Sequence, residues 1–160
     1  MKEIKTNAMR FLDQKKINYN VYEYESGGVA IDGIEVARRI NKDVKNVYKT
    51  LVTRGHSKSI YVFVIPVDKT IDLKKAAKVV KEKSIEMIAV SEINGLTGYV
   101  RGGCSPIGMK KNYKTVINNT CLEIDSIVFS GGKIGCQIEM NPSDLIKLIN
   151  CNVDDVINKE

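Results

Sequence analysis

Histidine is almost absent from this chain: His56 stands alone, and tryptophan is missing altogether. One imidazole cannot complete a Ser-His-Asp relay without partners, and no GxSxG elbow occurs to present a serine nucleophile. The four cysteines, Cys104, Cys121, Cys136 and Cys151, are scattered, with no CxxC pair among them. A tetrahedral zinc centre needs thiolates or imidazoles brought together by paired spacing, so neither a metal nor a cofactor is expected. The opening residues, Met1-Lys2-Glu3-Ile4-Lys5, lack the apolar stretch of a secretory leader. The longest apolar run, Ile60 to Val67, is too short to cross a bilayer. These absences point to the cytoplasm, with no membrane partner and with the cysteines as reduced, buried thiols.

Proline is scarce as well, at three residues, and no Pro/Ser-rich linker, repeat or low-complexity tract interrupts the 160 residues. A single domain spanning 1–160 is the expectation. What is present is an ordinary globular balance, 43% hydrophobic and 28% charged, with a formal net charge of +6. That charge favours polyanions through counterion release, although lysine-rich chains reach it without any nucleic-acid role.

The periodicity alternates irregularly between helix and strand. Ile4, Ala8, Phe11 and Leu12 predict a helix over 3–16, and Tyr19 to Tyr24 alternates as a strand. Ser26-Gly27-Gly28 reads as a loop. Asp32 can cap a helix carrying Val36, Ala37 and Ile40, with Glu35 placed for a capping box. Two strands, Val47 to Thr53 and Ser59 to Val67, flank a turn at 54–58, and the second, apolar on both faces, belongs in the centre of a sheet. Leu73, Ala76, Ala77 and Val80 mark a helix with lysines on its other side. A glycine-rich loop runs from Gly95 to Gly108. Ser126 to Phe129 and Cys136 to Met140 form a hairpin around Gly131-Gly132. Asn141-Pro142 then starts a last helix with Leu145, Ile146, Leu148 and Ile149 inward. The fold class is α+β, with one mixed, curled, barrel-like β-sheet surrounded by helices.

Three segments carry a resemblance: Val47-Tyr48-Lys49-Thr50-Leu51-Val52; Thr97-Gly98-Tyr99-Val100-Arg101-Gly102-Gly103-Cys104-Ser105-Pro106-Ile107-Gly108; and Ser130-Gly131-Gly132-Lys133-Ile134-Gly135-Cys136-Gln137-Ile138-Glu139. In order and spacing, nearly the whole chain resembles the YbaK/EbsC family of free-standing aminoacyl-tRNA editing domains, relatives of the insertion domain of bacterial prolyl-tRNA synthetases. The resemblance implies deacylation of mischarged tRNA beside prolyl-tRNA synthetase, with Cys-tRNA(Pro), and also Cys-tRNA(Cys), as targets.

On its own, Lys49 in a strand is a solvated lysine. The resemblance makes it the essential site residue, an ammonium able to hold the carbonyl region or terminal phosphate of an aminoacyl-tRNA. Thr50, on the strand's opposite side, would support the site from a neighbouring wall. Gly102 and Gly103 can turn backbone N–H groups towards one point, with Ser105 beside them, or simply form a tight turn. Ser130 and Gly131 belong to a hairpin turn that in the family lines the pocket. Gln137 stands where the family often carries an acidic residue, so it can orient substrate without supplying charge. Tyr24 matches a pocket tyrosine by position, or is a core aromatic. Near Gly33 the match is poor, with Ile31 or Asp32 where an aromatic is common, and that residue is not carried over.

With no protein nucleophile in view, the resemblance suggests that a cysteinyl substrate attacks its own ester, leaving a cyclic thiolactone. Lys74, Lys75, Lys78 and Lys81, with Lys83, Lys110, Lys111 and Lys114, either track acceptor-stem phosphates or form a solvated face. No base-reading module is present, so tRNA bodies should be discriminated only weakly, which makes a synthetase partner sensible. The resemblance implies the 3′ acceptor end of an aminoacyl-tRNA as the partner, with prolyl-tRNA synthetase beside it and no DNA. Competing readings are a deacylase for another small mischarged residue such as Ala-tRNA(Pro), a non-catalytic tRNA- or synthetase-binding module, and a thiol hydrolase using Cys104.

Overall fold

The computed structural model describes residues 5–159. Thr6 caps the first helix, α1 (Asn7–Gln14), its hydroxyl accepting from Met9 N–H, and Ala8, Met9 and Leu12 are buried beneath. The helix is shorter than the 3–16 expected: it stops at Gln14, Lys16 turns to a φ of 57°, and residues 3 and 4 lie outside the described residues. β1 (Asn20–Glu23) follows, then α2 (Gly33–Arg39), with Asp32 accepting from Ile34 N–H at its start. Glu35 does not close a capping box. It turns forward to Arg38 and Arg39.

β2 (Tyr48–Gly55) and β3 (Ile60–Pro66) form a long antiparallel pair. They are followed by α3 (Leu73–Val79), β4 (Ile85–Met87), α4 (Val90–Thr97), β5 (Lys114–Asn118), β6 (Ile127–Ser130), β7 (Cys136–Met140), α5 (Pro142–Ile149) and β8 (Asn152–Asp154). The strands build two sheets: a five-stranded mixed sheet in the order β4-β2-β3-β5-β8, and a three-stranded antiparallel sheet β1-β7-β6. β3 is central, as its two-sided apolar pattern predicts. The α+β class holds, but the single barrel-like sheet is corrected to two sheets, joined by a parallel bridge between Val47 and Val128.

Between these layers lies the main core, where Tyr48, Val62 and Val64 of the larger sheet meet Phe129 and Ile138 of the smaller one, closed by Leu12 and Leu145. On the opposite face of the larger sheet, Phe63 and Ile65 pack against Ala76 and Ala77 of α3. Leu73, expected inward on that helix, is exposed at its first position. α4 occupies sequence expected to open the glycine-rich loop. Gly95 sits inside this helix, and the left-handed residue that ends it is Gly98, at φ 85°.

β2 is tied to β6 at Val47 and to β4 from Thr53 to Gly55, so its middle stretch has no strand on that side. The bonds Val67 N–H to Val47 O and Gly55 N–H to Ser59 O set the antiparallel alternation. That alternation turns the peptide groups of Thr50 away from β3, towards the open edge.

Candidate active site

A cavity of about 410 Å³ lies at this open edge, within the range of small-ligand sites. β2 contributes Lys49 and Thr50, the loop after α4 contributes Arg101, Gly102 and Cys104, and the smaller sheet contributes Ser130 and Gln137. Tyr24, just past β1, and Asp32 with Gly33 at the start of α2 close the remaining side. Tyr24 is held there by its N–H bond to Gly135 O.

Lys49 is cross-strand to Ile65 and Thr50 to Val64, so they sit on opposite faces of the sheet as the alternation requires. Both still border the cavity, because its wall curls around the unpaired edge of β2. Among the described residues, neither Lys49 nor Arg101 has a hydrogen-bond or ion-pair partner. The Thr50 hydroxyl is enclosed and also has none. Gln137 is only 6% exposed, faces Ser130 across the β6–β7 pair, and its amide has no partner among the described residues. Asp32 is the one carboxylate among the lining residues, and it is engaged in capping α2. Among the described residues the cavity therefore offers two cations without a partner, a neutral amide and an open strand edge. Such a set can hold a carbonyl or phosphate oxygen and an ammonium without a metal ligand.

The two glycine-rich turns are in contact. Gly102 has a φ of 82° and lines the cavity, and a Cβ there would approach Ala30 Cβ at 2.7 Å. Gly103 does not line it. A Cβ on Gly103 would lie 2.9 Å from the Lys133–Ile134 backbone, so this glycine lets the two turns pack together. Ser105 is fully buried away from the cavity, its hydroxyl accepting from Ile107 N–H at 3.3 Å. Gly131 is also outside the lining, its carbonyl accepting from the Thr6 hydroxyl at 2.5 Å. Ser130 lines the cavity, and its hydroxyl accepts from Gly132 N–H at 3.3 Å.

Cys104 borders the cavity but is poorly suited to attack. Burial pushes its thiol up to about 11, so it is protonated near neutral pH. His56 cannot serve as its base, being exposed in the turn beyond the far end of β2.

The lysine face of α3 is apart from this cavity. Lys74, Lys78 and Lys81 are exposed, whereas Lys75 is tied to Asp155 at 3.0 Å and to Ile157 O at 2.8 Å. The residue that sequence reasoning missed is Arg101. Its only signal is a cation placed immediately before the glycine pair.

Comparison with known proteins gives the same picture. The model of the aminoacyl-tRNA editing domain matches residues 29–148. A protein of Enterococcus faecalis (strain ATCC 700802 / V583) named "Putative Cys-tRNA(Pro)/Cys-tRNA(Cys) deacylase EbsC" is 38% identical over 156 residues, covering 98% of this chain and 95% of that one. The crystal structure of "a putative trans-editing enzyme for prolyl tRNA synthetase" superposes with a TM-score of 0.85 at 22% identity, covering 98% of this chain and 100% of that one. That of "hypothetical protein APE2540" gives 0.86 at 20% identity, covering 95% and 99%. At such identities the two structures speak for the fold alone. The family match and the near full-length relative decide the rest: the chain belongs to the aminoacyl-tRNA editing domain family.

Proposed function

We propose that this deacylase removes cysteine from tRNA(Pro), and from tRNA(Cys), by letting the substrate's own thiol break the ester. The observation that carries the reading is the pairing of Lys49, without a partner among the described residues, with an open strand edge and a glycine turn around one small cavity. The substrate sulfur attacks its own carbonyl carbon, the bond to the ribose oxygen breaks, and the thiol proton passes to that oxygen. The products are a cyclic thiolactone and intact tRNA. Proximity supplies most of the acceleration, since nucleophile and ester share one small molecule. Lys49 and the backbone donors at Thr50 and Gly102 then act on the oxygen where negative charge develops. Tyr24, Ser130 and Gln137 orient the cysteinyl group.

Gln137 gives this site a particular character. An acidic side chain would attract the substrate ammonium by charge, whereas an amide accepts one hydrogen bond from it and donates others. Selection among small amino acids then rests on the thiol's reactivity more than on ionic recognition. The relative's name supports cysteine as the residue removed. Lys74, Lys78 and Lys81 would supply weak, sequence-blind attraction for the acceptor stem, with Lys75 withdrawn into its own ion pair. Such weak discrimination among tRNA bodies fits action beside prolyl-tRNA synthetase in the cytoplasm.

The test is a deacylation panel of Cys-, Ala-, Ser- and Pro-tRNA(Pro) with Cys-tRNA(Cys). Cysteinyl esters should be cleaved at least tenfold faster than the others, with a thiolactone trapped as the first product. Preferential cleavage of Ala-tRNA(Pro) would select the other target, and no cleavage of any substrate would reduce the chain to a binding module.

A further inference from the structure

A second hollow, of about 360 Å³, adjoins the candidate site and differs from it in character. The two share Thr50, Arg101, Gly102 and Cys104 as a common wall. Beyond that wall the second hollow is apolar, bounded by Leu51 of β2, Met87 of β4, and Val90 and Ile93 of α4. Met87 is 45% exposed and Val90 56% exposed, so two large apolar side chains stand open to water beside the site. Both hollows follow the same unpaired stretch of β2. Arg101 is exposed where they meet and, among the described residues, has no partner.

An aminoacyl-tRNA end is itself divided in this way. A small amino acid sits on the ribose, a flat nucleobase lies to one side, and a phosphodiester joins them to the rest of the chain. Given the deacylase reading on which it rests, we infer that the apolar hollow receives the 3′-terminal nucleobase. The ring stacks against Met87 and Val90, while Arg101 pairs with the terminal phosphodiester. Continuity with the cavity argues for this occupant, since an acyl group held at Lys49 leaves its nucleoside to pass the shared wall. Charge argues for it too, since a free guanidinium at the junction suits a phosphate and not an apolar peptide. Apolar packing of a base's flat face against methyl and thioether groups reads no hydrogen-bond edge, so the hollow anchors the end without reading the tRNA.

Two measurements test the inference. In Cys-tRNA(Pro) deacylation, the double variant Met87→Ser/Val90→Ser should raise KM at least tenfold with kcat within twofold, whereas Met87→Leu restores KM. Both positions are exposed, so loss of folding is not expected to confuse the result. Adenosine 5′-monophosphate titrated into methyl-labelled protein should shift the Met87 methyl resonance, and ribose 5-phosphate should not. Arg101→Ala should weaken both ligands and flatten the salt dependence of KM. An unchanged KM in the double variant, or a Met87 methyl unmoved by the nucleotide, overturns the inference. Failure of the wild type to cleave any aminoacyl-tRNA would instead sink the deacylase reading, and the nucleotide titration would still report on the hollow.

Discussion

Glu139 and Gln137 are two residues apart on β7, yet the fold treats them in opposite ways. Around Glu139 every available donor has been recruited: Tyr22 at 2.8 Å, Ser126 at 2.9 Å, Lys42 at 3.1 Å and Asn20 at 3.4 Å. Around Gln137, and around Lys49 and Arg101 across the cavity, no partner is found among the described residues. A polar group withdrawn from water without a hydrogen bond costs about 1–3 kcal/mol. Among the described residues the one enclosed side-chain atom in that condition is the Thr50 hydroxyl at the cavity wall. Gln137, Lys49 and Arg101 line the same cavity, where a ligand can take the place of water.

The largest expected effect is on the unsatisfied side. Lys49→Ala should lower kcat/KM for Cys-tRNA(Pro) by about 100-fold or more, the scale of losing one charge-stabilising group, with thermal stability unchanged or slightly raised. Gly102→Ala should cost about tenfold in activity, because the new methyl meets Ala30 on a backbone with φ 82°. Glu139→Gln reverses the pattern, reducing stability by about 1–2 kcal/mol near neutral pH while activity stays within twofold. Burial raises the Glu139 pKa, but its four donors outweigh this and leave it below the usual carboxylate value. The stabilisation is therefore present above the unfolded-state pKa and is lost as pH falls through the folded one. Melting curves of wild type and variant should thus stay apart near neutral pH and converge only as pH falls through the lowered folded-state value. The smallest effect belongs to Cys104→Ser, a loss of less than threefold, since a thiol held up at about 11 is no nucleophile near neutral pH. A loss on the scale expected for Lys49 would make it one.

How much of this was legible beforehand differed by element. Capping residues announced α2 and α5: Asp32 and Asn141 sit where their side chains accept the first free N–H groups. The β6–β7 hairpin was legible from its glycines and its alternation. β4 and β8, at three residues each, and the parallel β3–β5–β8 pairing depend on contacts distant in sequence, which no local pattern encodes. α4 was hidden by Gly95, whose exposed position tolerates the missing side chain. In the site, Lys49, Thr50, Tyr24, Gly102, Ser130 and Gln137 do come together around the cavity. Ser105 and Gly103 lie outside its lining and serve the loop instead, one bracing it internally and the other letting two turns touch. Arg101 went unnoticed because a loop arginine carries no pattern, and only the geometry shows it shared between two hollows.

The most direct measurement is an NMR titration with a cysteinyl-adenosine analogue whose ester is replaced by an amide that cannot be cleaved. The side-chain amide of Gln137 and the Thr50 and Gly102 backbone amides should shift together and saturate at one dissociation constant, with Glu139 and its partners unmoved. Shifts confined to the lysine face of α3, or none at the β2 edge, would contradict the account.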